Sequence, residues 1–217
     1  PGTVPRMSDV DVGRLYRANR ERVTALVRPI PQARLAGPCP ACPGWSVHDV
    51  VSHLAGIAAD AIAGRLGGMP SDEQTATQVD QRRDQPTTVV LREWERSASQ
   101  LELVLTKTGL ALVPAAIDVA VHEHDIRGAL DLAGDHSSDT ITLAVTRTFD
   151  RWFPSLRTAG LVEPGVVAPG GTVVAGDPGS PVRWTATEYE VFRTAFGRRS
   201  VAQFARSFDG ADPQPYL

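Results

Sequence analysis

The chain has 217 residues, 22 of them basic and 25 acidic, and a formal net charge of −3 at pH 7 spread along its length. No basic block offers a footprint for nucleic acid or an anionic membrane surface, and 42% hydrophobic residues exclude a disordered chain. No run approaches the roughly 18 consecutive apolar residues of a spanning helix, and no apolar leader opens the chain, so the expectation is a cytoplasmic protein of one large or two small domains.

In chain order, apolar residues recur at Val12, Leu15, Tyr16, Val23, Leu26, Val27 and Ile30, the 3.6-residue stripe of a first helix with Ser8 as its expected cap. The stretch Pro38-Cys-Pro-Ala-Cys-Pro-Gly44 cannot continue a helix, because proline lacks the donor and clashes with the preceding turn. It is a stiff connector. Ser46 with Asp49 three residues on reads as a capping box opening a second helix, Val47 to Leu66, ended by Gly67, Gly68 and Pro70. Residues 67–86 are long for a bare loop, so a helical piece is expected near Thr77 to Arg83. A third helix runs from Thr87 or Thr88 to Gly109, and a fourth, with Pro114 in its first turn, to Leu132.

Four amphipathic helices of similar length make a four-helix bundle, with residues 1–135 as the first domain. Beyond it a fifth helix, Asp139 to Thr158, precedes short β-branched runs at Gly171 to Ala175 and Pro181 to Thr185. Two short helices, Thr187 to Phe196 and Val201 to Phe208, flank Gly197-Arg-Arg-Ser200. The expected fold class is therefore mainly α with a smaller α+β part, residues 136–217.

The fourth helix carries Asp118 inside the apolar run Ala115 to His122, where a carboxylate is costly without a partner or a cation. Asp118 and His122 stand four residues apart on one face, and His53 sits near the inward stripe of the second helix. Two facing helices could thus supply three ligands. Two imidazoles and a carboxylate suit zinc, with nickel, iron and manganese as alternatives, and three protein ligands leave a position open for chemistry. The competing reading is a hydrogen-bonded core histidine at 53 and a local ion pair between Asp118 and His122; spacing leaves both open.

His124 points to another side of its helix, and His48 and His136 read as surface residues. Asp125 could orient His122, but pairing with Arg127 or solvation is the favoured expectation. Cys39 and Cys42 precede a helix N-terminus, which permits a redox role; without a βαβ context, packing of Cys42 and Trp45 onto the bundle is preferred.

The segments Cys42-Pro-Gly-Trp-Ser-Val-His-Asp-Val-Val-Ser-His-Leu-Ala55 and Asp118-Val-Ala-Val-His-Glu-His-Asp-Ile-Arg127, with Phe192 to Gln203, resemble the mycothiol-dependent maleylpyruvate isomerase family, within the wider DinB-like superfamily of metal-binding bundles. The resemblance implies His53 and His122 as metal ligands, with Asp118 where the isomerases carry a glutamate, and Arg198 or Arg199 as the arginine serving activity. It also implies mycothiol as thiol cosubstrate and a small anionic substrate, with neither nucleic acid nor membrane as partner, in a monomer or homodimer. The function expected is a metal- and thiol-dependent isomerase or transferase; the alternative is a non-catalytic metal-binding or regulatory module of the same fold.

Overall fold

A computed structural model describes residues 10–217, which fall into two units, one ending at Gly134 and the other Asp135–Leu217. The first unit is built on four long helices: α1 (Val12–Val27), α3 (Val47–Ile62), α5 (Thr87–Thr108) and α6 (Val113–Ala129). Helix α1 packs on α5 and α6, and α3 packs on α5 and α6. Two shorter helices, α2 (Gln32–Leu35) and α4 (Asp72–Asp80), lie in the connections.

Local chemistry sets these boundaries. Asp11 opens α1, its carboxylate accepting from the Arg14 backbone N–H at 3.1 Å and from the Thr106 hydroxyl at 2.7 Å. The expected cap, Ser8, lies outside the described residues. Ser46 and Asp49 form the reciprocal box at the start of α3, with bonds of 2.8 and 3.1 Å. Helix α3 ends at Ile62 rather than Leu66, because Gly64 takes φ 69° and Arg65 N–H folds back to the Asp60 carbonyl at 2.9 Å. Helix α6 likewise stops at Ala129, short of Leu132: Asp131 adopts φ 54° and Leu132 N–H closes on the Arg127 carbonyl at 2.9 Å.

The helical piece in residues 67–86 is α4, somewhat earlier than expected and capped by a Ser71–Gln74 box. It lies hard against α3, because Gly56 offers no side chain there: a Cβ at 56 would stand 2.5 Å from the Gln78 Cβ. The fold-back of this connection buries His48, expected at the surface, which sits 2.8 Å from the Thr87 hydroxyl and 3.1 Å from the Arg82 carbonyl oxygen.

The helical run Thr87–Ala129 contains an 18-residue window of mean hydropathy 1.6, enough by length and composition for a membrane span. In the fold, Gly109 at φ 65° and a 3-10 turn at Gly109–Leu112 divide that run into α5 and α6, both packed on α1 as bundle helices.

In the second unit α7 (Asp139–Thr158) has the expected span, and a four-stranded sheet follows. Strands β2 (Val173–Ala175) and β3 (Arg183–Thr185) lie within the expected runs; β1 (Gly165–Val167) and β4 (Phe208–Asp209) were too short to show alternation. The order is β2-β1-β3-β4, with β1 and β3 parallel and the other pairs antiparallel. Helices α8 (Glu188–Ala195) and α9 (Val201–Ala205) complete the unit, around an aromatic cluster of Trp152, Trp184, Phe204, Phe208 and Tyr216.

Candidate metal centre

His53, on the second turn of α3, and Asp118 and His122, one turn apart on α6, meet inside the first unit. The His53 Nε2 lies 3.9 Å from one Asp118 oxygen and the His122 Nε2 lies 3.6 Å from the other. One ligand atom from each of the three residues falls within 4.8 Å of the others. A tetrahedral zinc with ordinary bond lengths would set nitrogen–oxygen edges of about 3.4 Å, and the two nitrogen–oxygen distances, each to its own Asp118 oxygen, come within about half an ångström of that. Both imidazoles are buried, and Asp118 keeps 22% of its side chain exposed. The cluster therefore opens on the carboxylate side.

Each ring is turned by a partner on its far nitrogen. His53 Nδ1 lies 3.1 Å from the Gln78 amide oxygen, and the Gln78 amide nitrogen donates to Asp60 at 2.7 Å. The Asp60 carboxylate fixes which way the amide points, so the oxygen facing His53 can only accept and Nδ1 must carry the proton. His122 Nδ1 donates in the same way to Asp125 Oδ2 at 3.0 Å. In the neutral rings both Nε2 lone pairs are thereby left for the space beside Asp118, the arrangement in which an outer hydrogen bond selects the ligating tautomer, and a cation there displaces the proton that His122 otherwise holds. Replacing Gln78 by leucine is expected to weaken zinc binding about 10- to 100-fold, the usual range for such partners, measured by competition with a chromophoric chelator. An unchanged affinity would show that the ring needs no guide.

The same surroundings split the two imidazoles. Burial holds His53 below its ordinary pKa against the pull of Asp118. Burial also works against charge on His122, but Asp118, the hydrogen bond to Asp125 and the Cys42 thiol outweigh it and raise His122 to about 10. In metal-free protein, His122 stabilises the fold fully below pH 6.5, and that contribution fades as pH climbs toward about 10. His53 acts oppositely, since the unfolded chain takes up its proton first as pH falls through 6.5. The urea midpoint of metal-free protein should thus peak near neutrality and decline by pH 8.5. A midpoint that keeps rising into alkaline solution would contradict the His122 assignment.

Asp125 is nearly fully buried and neither solvated nor paired with Arg127, which instead reaches Glu123 at 3.0 Å. Its carboxylate lies against the Cys39–Trp45 connector, and the Cys42 thiol donates to it at 3.4 Å. Trp45 covers the rings, with centroids 5.1 Å from His53 and 6.5 Å from His122. Gln78 came from a stretch whose polarity gave no hint of a site. His124 belongs to neither metal-ligand grouping found among the described residues, and exposed His136 stacks on Tyr189. Arg198 and Arg199 lie in the second unit between α8 and α9. Arg199 grips both Glu190 oxygens at 2.8 and 2.9 Å, and Arg198 donates to the Phe196 carbonyl at 2.8 Å. A cleft of about 520 Å³ lined by Arg28, Leu35, Arg83 and Leu91 contains none of the three clustered residues.

Residues 16–112 match the family described as mycothiol maleylpyruvate isomerase N-terminal domain. Two solved structures share the fold: a mycothiol-dependent maleylpyruvate isomerase, with TM-score 0.54 and 19% identity over 91% of this chain and 93% of that one; and a histidine-to-alanine mutant described by the same name, with TM-score 0.53 and 16% identity over the same shares. Comparison with curated proteins gives no match. Residues 16–112 thus match the mycothiol maleylpyruvate isomerase N-terminal domain, and the chain takes the fold of the solved mycothiol-dependent maleylpyruvate isomerase.

Proposed function

We propose that this chain is a cytoplasmic, metal-dependent enzyme that uses mycothiol to isomerise, or transfer a group on, a small anionic molecule. The reading is carried by the convergence of two imidazole Nε2 atoms on one carboxylate, with both far nitrogens held by hydrogen bonds. His53, Asp118 and His122 would hold the ion, zinc by its taste for two nitrogens and an oxygen with a position left open. When bound, such an ion favours the thiolate form of a thiol beside it, which is the nucleophilic form.

The chain's own groups do the rest. Asp118 neutralises part of the cation's charge, Gln78 and Asp125 hold the rings in register, and Trp45 shields one flank of the rings from water. Arg198 and Arg199 are assigned to the substrate's negative charge; Arg199 already engages two carboxylate oxygens of Glu190, the geometry a substrate carboxylate would need.

The test uses protein stripped by chelator and reloaded with zinc, given maleylpyruvate as probe substrate. Turnover should require both the metal and mycothiol and vanish in His53→Ala. Mycothiol should raise the melting temperature of loaded protein and leave stripped protein unmoved. Loaded protein that neither turns over nor shifts its melting point with mycothiol would refute the thiol-dependent reading and favour the non-catalytic module.

A further inference from the structure

The second edge of the His122 ring faces a cluster with its own ligand chemistry. Cys42 Sγ lies 3.4 Å from Asp125 Oδ2 and 3.7 Å from His122 Nδ1, and that nitrogen lies 3.0 Å from the same oxygen. A tetrahedral zinc bound by one sulfur, one nitrogen and one oxygen at ordinary lengths has edges of about 3.6, 3.5 and 3.4 Å. The three donor atoms already sit within about 0.4 Å of those edges, a closer fit than the pair of edges measured around Asp118.

Two further features set this cluster apart from ordinary core packing. A thiol is a weak donor, and here it is aimed at a carboxylate that already has a stronger one in His122. Beside it, the Cys42 N–H closes the turn on the Cys39 carbonyl at 2.9 Å, and Cys39 Sγ approaches the Asp125 carbonyl at 3.7 Å. The Cys39-Pro-Ala-Cys42 turn therefore presents two sulfurs in the two-residue spacing common to thiolate metal sites.

We infer that Cys42, His122 through Nδ1 and Asp125 form a second position for a divalent, thiophilic cation, with Cys39 as the neighbouring fourth donor. Entry of the ion releases the Cys42 thiol proton and the His122 Nδ1 proton, and the charges of one thiolate and one carboxylate neutralise it in a buried setting. The hydrogen-bonded triangle is the metal-free form, its protons standing where the cation would bind. With this position alone filled, His122 keeps its Nε2 proton; filling both positions at once releases that proton as well and makes the ring a bridging imidazolate. The inference goes beyond the proposed turnover and stands without it.

Cobalt titration of stripped protein under anaerobic conditions tests it, because only thiolate ligation gives an intense near-ultraviolet charge-transfer band. The band should appear in wild type and persist in His53→Ala, which spares this cluster. It should vanish in Cys42→Ser, with metal content lower by one equivalent, and weaken in Asp125→Asn. No band in wild type, or a band surviving Cys42→Ser, would overturn the second position. Because His53→Ala reports the Asp118 cluster separately, the failure of either site leaves the other readable.

Discussion

His122→Ala should leave the purified protein with under about a tenth of the metal bound by wild type. Loss of an outer partner alone weakens metal binding by about 10- to 100-fold, and here a direct ligand goes, so the affinity should fall further. Both donor groupings contain this residue, which makes it the most damaging single change. The same substitution takes the imidazole away from Asp125, almost wholly buried and 3.0 Å from it, and removing one member of a buried pair costs about 3–5 kcal/mol. The metal-free variant should therefore also melt well below metal-free wild type. His53→Ala guards against misreading a folding failure: its ring faces Gln78 rather than a buried carboxylate, and it should lose metal at the Asp118 cluster with a far smaller thermal penalty. Full metal content in both variants, measured by elemental analysis, would dismiss the metal centre at His53, Asp118 and His122.

The bundle was legible because its signals are local and repeated. Helix α5 begins at Thr87 and ends beside Gly109 as the pattern and breaker demand, and Ser46 with Asp49 announces α3 through two short hydrogen bonds. Helix ends set by a left-handed residue inside the run, Gly64 and Asp131, were overrun because the apolar pattern continues past them. At the site, the i,i+4 relation of Asp118 and His122 stands in the sequence, but its meeting with His53 depends on how α3 and α6 pack. The orienting groups are harder still. Asp125 offered three readings, with solvation or pairing to Arg127 favoured, until burial removed solvent from the choice, and Gln78 reaches His53 only because Gly56 lets α4 settle onto α3. Such contacts come from long-range closure, which periodicity does not encode.

Trp94→Ala should destabilise the protein by about 3–5 kcal/mol, the range for truncating a large buried aromatic. Trp94 is completely buried on α5, and its indole N–H donates to the Tyr16 hydroxyl of α1 at 2.8 Å. That bond joins two of the bundle's long helices across the core, and α1 in turn packs on α6, the helix that carries Asp118 and His122. Two contributions can be separated. Trp94→Phe keeps most of the apolar volume and removes the donor, so its cost should be nearer the roughly 1–3 kcal/mol of an abandoned buried polar group. Tyr16→Phe should cost a similar amount by orphaning the indole N–H, and combining it with Trp94→Phe should cost less than the sum of the two, since the pair leaves no polar group stranded. Urea unfolding of the four proteins gives the cycle. Strict additivity of the two phenylalanine variants would show that the 2.8 Å bond contributes nothing, and that the core at this point is held by apolar packing alone.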